Sequence, residues 1–181
     1  MKKIILFSLS GLLLLSFAIF SFKADKPVVE SPKKSSVATT PIKSQATDKI
    51  QWYTLEEAMK ANQKNPKKLF IDFYTDWCGW CKVMDKKTFT DAQVIDFMNK
   101  NFYAVKFNAE QKEALMFKGK EYKFLNAGKR GIHSFAYETL DRSASYPSFV
   151  ILEKDLSKDG IIKGYKSPTQ FLQLMEAQFS M

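Results

Sequence analysis

The chain holds two cysteines in 181 residues, and they stand together in Asp76-Trp77-Cys78-Gly79-Trp80-Cys81-Lys82. Two thiols separated by two residues can exchange electrons with another disulfide: the first attacks as a thiolate, and the second resolves the mixed disulfide. The setting makes this spacing useful. Leu69-Phe70-Ile71-Asp72-Phe73-Tyr74 ahead of the pair reads as a buried strand, and Lys82 to Lys87 behind it lacks Gly and Pro and reads as helix. A cysteine where that helix starts meets orphan N–H groups and the positive end of the helix dipole, which favours its thiolate.

Two other roles for the pair are weaker. A disulfide closing so short a loop removes little unfolded-chain entropy and is a poor staple. A zinc site needs two more ligands; His133 is the only histidine, and no acid is spaced to complete a site, so no metal is expected. His133 itself reads as an ordinary loop or helix residue. Asp72 interrupts an otherwise apolar run. If the strand is central, burial desolvates this acid, raises its pKa and fits it to accept a proton from Cys81; if the strand is an edge, Asp72 is simply solvated. Trp77 and Trp80 are expected to form an apolar rim for a docking partner, with Trp77 alternatively part of the core.

The elements that must position these residues come from the rest of the chain. Sixteen Phe and an apolar fraction of 45% exclude global disorder, and the length allows one domain with appended segments. The formal charge of +9 is uneven: residues 1–49 carry eight Lys against three acids, and residues 50–181 carry twenty Lys and Arg against sixteen. No Arg-rich stripe with interleaved aromatics supports nucleic-acid binding.

Met1-Lys2-Lys3 and then nineteen uncharged residues, Ile4 to Phe22, read as a secretory signal or an N-terminal membrane anchor. As helix the run would span about 28 Å, one hydrocarbon core. No small-residue cleavage site is clear, and the absence of a cysteine there excludes a lipoprotein signal. Either reading, a signal over 1–22 or an anchor, exports the remainder of the chain, since Lys2 and Lys3 favour the cytoplasmic side. Residues 23–49, rich in Lys, Ser, Thr, Pro and Val, read as a flexible linker.

Order is expected over 50–181. Ile50 to Tyr53 is a short strand, and Thr54 with Glu57 makes a capping box for a helix to about Gln63. Thr90-Asp91-Ala92-Gln93 reads as a second capping box, followed by a strand over Phe102–Phe107. Leu115–Phe117 and Tyr122–Leu125 around Lys118–Glu121 suggest a hairpin, Asn126–Gly131 a loop, and Ile132–Leu140 a helix. Pro147 opens a strand to Leu152, a turn over Lys154–Gly160 leads to the strand Ile161–Lys163, and Ser167-Pro168 caps a final amphipathic helix. Strands alternating with helices, then two strands and a helix, indicate an α/β domain with a mixed sheet covered by helices.

Residues 50–181 resemble the thioredoxin-fold family, on the branch of exported bacterial thioredoxin-like proteins. Trp77-Cys78-Gly79-Trp80-Cys81-Lys82 is similar to the thioredoxin active site. Asp72 falls where the family places a buried acid, and Lys106 matches the lysine near that acid. Tyr146-Pro147-Ser148 occupies the place of the cis-proline loop, and Gly164 that of the glycine before the last helix. The resemblance implies a thioredoxin fold with catalytic Cys78, Cys81, Asp72 and Lys106, and a substrate groove of Trp77, Gly79, Trp80, Tyr146, Pro147 and Gly164. A cis Pro147 would hold backbone groups where an extended substrate can pair with them. Two departures stand out. Trp80 replaces the usual proline, which leaves the redox potential open, and the segment Glu110–Ser145 is an insertion before the cis-proline strand.

The expected function is an exported, periplasmic thiol–disulfide oxidoreductase. It would be soluble after signal cleavage or tethered through residues 4–22, with no cofactor beyond a redox-active disulfide Cys78–Cys81. It would act on protein disulfides, in the reducing direction, with electrons from a membrane-embedded thiol reductant. The alternative is a thioredoxin-fold binding or assembly module whose dithiol is not essential and whose insert docks a partner.

Overall fold

The structure, a computed structural model, describes residues 48–178. The expected signal or anchor over 1–22, and the linker over 23–49 save its last two residues, lie outside the described residues, as does Phe179. Among the described residues no helix is long and apolar enough to cross a membrane.

The chain runs β1 (Trp52–Tyr53), α1 (Leu55–Lys64), β2 (Lys68–Tyr74), α2 (Gly79–Lys87), α3 (Ala92–Asn101) and β3 (Phe102–Asn108). Next come β4 (Leu115–Phe117), β5 (Lys120–Tyr122), β6 (Phe124–Leu125), β7 (Ile132–His133), α4 (Ser134–Thr139), β8 (Ser148–Leu152), β9 (Lys158–Lys163) and α5 (Pro168–Gln178). The main sheet has the order β1-β3-β2-β8-β9; β2 is parallel to β3 and antiparallel to β8. β2 is therefore central, and its run from Leu69 to Tyr74, apolar save for Asp72, is what a strand covered on both faces requires.

The two-residue period of β2 divides the core. Phe70 joins Met84, Phe89, Phe149, Phe171 and Met175 on the face covered by α2, α3 and α5. Leu69, Ile71 and Phe73 point the other way, onto Ala58, Phe107 and Phe135. Asp72 has the parity of Phe70, so it lies under α2, the helix that begins at the cysteines. The same parity in β3 puts Lys106 on that face with Phe102 and Ala104.

Helix ends obey their caps. Thr54 and Glu57 form the expected capping box, with Thr54 N–H donating to Glu57 Oε2 at 2.9 Å and Glu57 N–H to Thr54 Oγ1 at 3.2 Å. At α3 the cap is Asp91 instead of Thr90: its Oδ1 accepts from Gln93 and Val94 N–H, while Thr90 Oγ1 donates back to Lys86 O. Asp is the stronger N-cap, and its carboxylate reaches two orphan donors. Ser167 caps α5, its Oγ accepting from Gln170 N–H at 3.4 Å.

The insertion differs from the expectation in detail. Its hairpin is β4–β5, turning at Lys118-Gly119 with φ of 50° and 77°, the positive pair a two-residue hairpin turn requires. Lys120 and Glu121 are thus strand, and Phe124-Leu125 leaves the hairpin to pair with Ile132-His133. Ile132 and His133 are accordingly strand, and helix begins only at Ser134. β9 also starts earlier than its apolar residues suggest, at Lys158, because ladder pairing with β8 extends over a polar stretch.

Candidate active site

Cys78 is the N-cap of α2 and is joined to Cys81 by a disulfide, with Cα atoms 5.3 Å apart. The turn that delivers it is closed by Cys78 N–H donating to Thr75 O at 3.1 Å. Cys81 N–H donates to Cys78 Sγ at 3.1 Å, so the helix end aims a donor at the first sulfur. That donor and the helix dipole favour negative charge on Cys78 once the disulfide opens. Cys78 and Cys81 are only 4% and 3% exposed in this oxidised state.

Around the buried sulfurs stand two exposed indoles. Trp77 is 51% exposed and Trp80 61% exposed. Each links the dithiol loop to a neighbouring loop: Trp77 meets Tyr146 edge-on at 6.0 Å, and Trp80 lies on Tyr165 at 5.4 Å. The Tyr146–Pro147 peptide is cis, and Pro147 O accepts from Gly164 N–H at 2.8 Å. Gly164 takes φ +78°, a left-handed conformation suited to glycine, so the two loops are held together by backbone. Gly79 has open space where a Cβ would stand, so packing makes no demand for glycine there. Burial and the Glu110 charge push the Tyr146 phenol up to about 12, leaving it neutral.

Beneath the helix, Lys106 Nζ lies 2.8 Å from Asp72 Oδ2 and also pairs with Asp85. Three aromatic rings, of Trp52, Tyr74 and Phe89, surround the ammonium at 4.9–5.5 Å. Asp72 Oδ1 is buried and has no hydrogen-bond partner among the described residues. Burial raises the Asp72 carboxyl to about 6, opposed by Lys106 and assisted by the Asp85 charge. For Lys106, burial works against the charge, but Asp72 and Asp85 together raise its pKa.

The structure thus gathers the ten residues singled out in the sequence around one end of the main sheet and its adjoining loops. It also adds residues that sequence reasoning missed. Asp85 stands four positions after Cys81 on α2, a helical spacing that carried the signal. Glu110, whose carboxylate accepts the Trp77 indole N–H at 2.8 Å, and Arg130, whose guanidinium lies 5.1 Å over the Trp77 ring, come from the insertion and carried no local signal. His133 is a structural residue: Nδ1 accepts from Phe135 N–H, Nε2 faces Glu113 O, and burial lowers its pKa. Among the described residues, no group of three or more His, Cys, Asp or Glu could hold a metal ion.

A central parallel strand, a dithiol loop at the helix after it and a cis proline at the start of the antiparallel strand identify the fold, and residues 55–179 match the thioredoxin-like domain family. The chain belongs to the thioredoxin-like family. It is 37% identical over 84 residues to the thiol:disulfide interchange protein DsbD of Haemophilus ducreyi, which covers 46% of this chain and 14% of that protein. It is 32% identical over 68 residues to an uncharacterized protein of Caenorhabditis elegans, 37% of this chain and 9% of the other. The chain therefore spans a small part of the curated relatives it matches.

Among solved structures, the DsbH oxidoreductase aligns with a TM-score of 0.53 at 15% identity, over 83% of this chain and 96% of its own. A thioredoxin from Thermus thermophilus gives 0.53 at 16%, over 73% and 88%. These likenesses carry the fold. Family membership with an intact Cys-Gly-Trp-Cys pair at a helix N-terminus supports thiol–disulfide oxidoreductase activity in this thioredoxin-like chain.

Proposed function

We propose that the chain is an exported thiol–disulfide oxidoreductase that reduces protein disulfides. The observation that carries this is the Cys78–Cys81 disulfide at the start of α2, above the buried acid Asp72. In the reduced protein, the Cys78 thiolate attacks one sulfur of a substrate disulfide. The substrate S–S bond breaks, a mixed disulfide with Cys78 forms, and one substrate thiolate leaves. Asp72, as carboxylate, then takes the Cys81 proton; Cys81 attacks Cys78 Sγ and the second substrate thiol is released. The substrate gains two electrons and the dithiol becomes the disulfide.

A base for Cys81 speeds its attack on the mixed disulfide and, as the conjugate acid, the reverse step as well. The support for the reducing direction is the likeness of the Asp72–Lys106 pair and its surroundings to thioredoxin. Lys106 tunes that base. Trp77, Trp80, Tyr146, Pro147 and Gly164 form the rim and backbone groove in which an extended substrate pairs, with Gly79 in the dithiol loop itself. The charged start and uncharged run over 1–22 support export to the periplasm, released or anchored, and a membrane-embedded thiol reductant would return the electrons.

The test is trapping. Cys81→Ser should accumulate mixed disulfides with protein substrates, Cys78→Ser should not, and only the wild type should reduce insulin catalytically. A Cys78→Ser variant that behaves as wild type would sink the reading. Direction is tested separately by equilibration with glutathione, where about 30 mV shifts the ratio tenfold. A potential in the range of strong oxidants would reverse the proposed direction.

A further inference from the structure

The insertion reaches the active site through Glu110 and Arg130, which both meet Trp77. Arg130 places its guanidinium 5.1 Å over the ring of Trp77, the residue directly before Cys78 in the chain. The indole beneath it is held on two sides, by Glu110 at its N–H and by Tyr146 at its edge. The loop that carries Arg130 is itself fastened. Gly131 N–H donates to Ala127 O and Ala127 N–H to Leu125 O, each at 2.9 Å. At Gly131, with φ +74°, an added Cβ would collide with the Phe124 ring and fall 2.7 Å from Leu125 O, so the loop's path there requires glycine.

Charge is unevenly engaged there. Glu110 Oε1 accepts the indole N–H and Asp76 Oδ1 the Asn108 amide at 3.3 Å, bonds that fix both carboxylates without discharging them. Arg130 is exposed, and among the described residues it makes no ion pair, so its donors are not held by a carboxylate of the chain. Lys129 beside it adds a second cation. An exposed guanidinium preset on an aromatic face suits a carboxylate, which it can bind with two parallel hydrogen bonds.

We infer that Arg130 and Trp77 form a recognition wall selecting peptide disulfides with an Asp or Glu next to the reacting cysteine. The inference rests on the exchange reading above and names the substrate class for that same site. Arg130 acts on binding and orientation of the substrate, not on the sulfur chemistry. Its effect is that of an exposed charge pair, about threefold between an acidic and a neutral neighbour, and is screened by salt.

The experiment uses three peptide disulfides that differ only in Asp, Asn or Lys beside the cysteine. Oxidation of the reduced full chain is monitored by tryptophan fluorescence, and each rate is divided by that peptide's rate with dithiothreitol. The ratio within one variant is the readout, so a change in overall rate cancels. For wild type the order should be Asp, Asn, Lys, with about threefold steps at low ionic strength that shrink with added salt. Arg130→Gln should level the series, and Arg130→Lys should keep part of it. Equal rates for wild type, or an undiminished preference in Arg130→Gln, overturn the inference while leaving exchange intact. A dithiol that none of the peptides oxidises overturns both this inference and the exchange reading.

Discussion

Lys106 and Asp72 face each other in register on adjacent parallel strands, 2.8 Å apart, and the acid nevertheless titrates near 6. The attraction is real, but Lys106 divides itself between Asp72 and Asp85, and Oδ1 of Asp72 has no partner among the described residues. Burial wins over pairing. The outcome is a carboxylate poised near neutral pH directly under the dithiol helix.

Replacing this acid should stabilise the protein. Between its ordinary pKa of 3.8 and about 6, folded Asp72 holds a proton that the unfolded chain has released. Stability from this group is therefore complete below the lower value and lost as pH rises through the upper one. At 1.36 kcal/mol per unit over roughly two units, the loss is about 3 kcal/mol. Asp72→Asn should remove that slope from denaturant unfolding of the oxidised protein and be more stable at pH 7.5 by up to that amount. Parallel stability–pH curves for the two proteins would refute the assignment.

The two neighbours of Asp72 should move it in opposite directions. Lys106→Met removes the attraction and should raise its pKa further above 6. Asp85→Asn removes a repulsion and should lower it. Carboxyl-carbon NMR titration reads both, and the pH profile of mixed-disulfide resolution should show the same order. Shifts of one sign in both variants would contradict the arrangement.

Two glycines should respond differently to alanine. At Gly131 a Cβ would stand 2.7 Å from Leu125 O and collide with the Phe124 ring, at a φ of +74°. Gly131→Ala should cost about 1–3 kcal/mol in thermal or denaturant unfolding and loosen the Arg130 loop. Gly79→Ala, with open space at the first helical position, should stay within about 0.5 kcal/mol of wild type.

Two buried threonines provide a similar contrast. Thr75 Oγ1 has no hydrogen-bond partner among the described residues, whereas Thr88 Oγ1 donates to Lys166 O at 2.6 Å. Thr75→Val should be neutral or stabilising by about 1 kcal/mol, and Thr88→Val destabilising by about 1–3 kcal/mol, in equilibrium unfolding. Equal effects at both positions would argue against the hydrogen-bond assignment.

Much of the scaffold was legible because its signals are local. The capping box of Thr54 and Glu57, the Ser167-Pro168 start of α5 and the apolar run of β2 each act within a few residues. Asp72 was legible for the same reason, as the one charge in that run. Cap choice at α3 was not, since Thr90 and Asp91 both offer an oxygen and only backbone geometry selects Asp91. The apolar pattern of the insertion predicts its hairpin but not the extent of its ladder. Positive φ at Lys118-Gly119 and pairing of Phe124-Leu125 with a later strand depend on the folded backbone.

The sequence by itself determined the reactive pair, its place between an apolar strand and a helix, and Asp72 as the one charge in that strand's apolar run. Residue type and the periods of two and 3.6 are enough for those, because they act along a few consecutive residues. Tertiary structure alone decided that Lys106 is shared between Asp72 and Asp85, that Trp80 rests on Tyr165, and that Arg130 and Glu110 of the insertion hold Trp77. Such contacts join residues far apart in the chain. They are set by strand register and loop path, where a slip of one residue would turn every side chain to the opposite face.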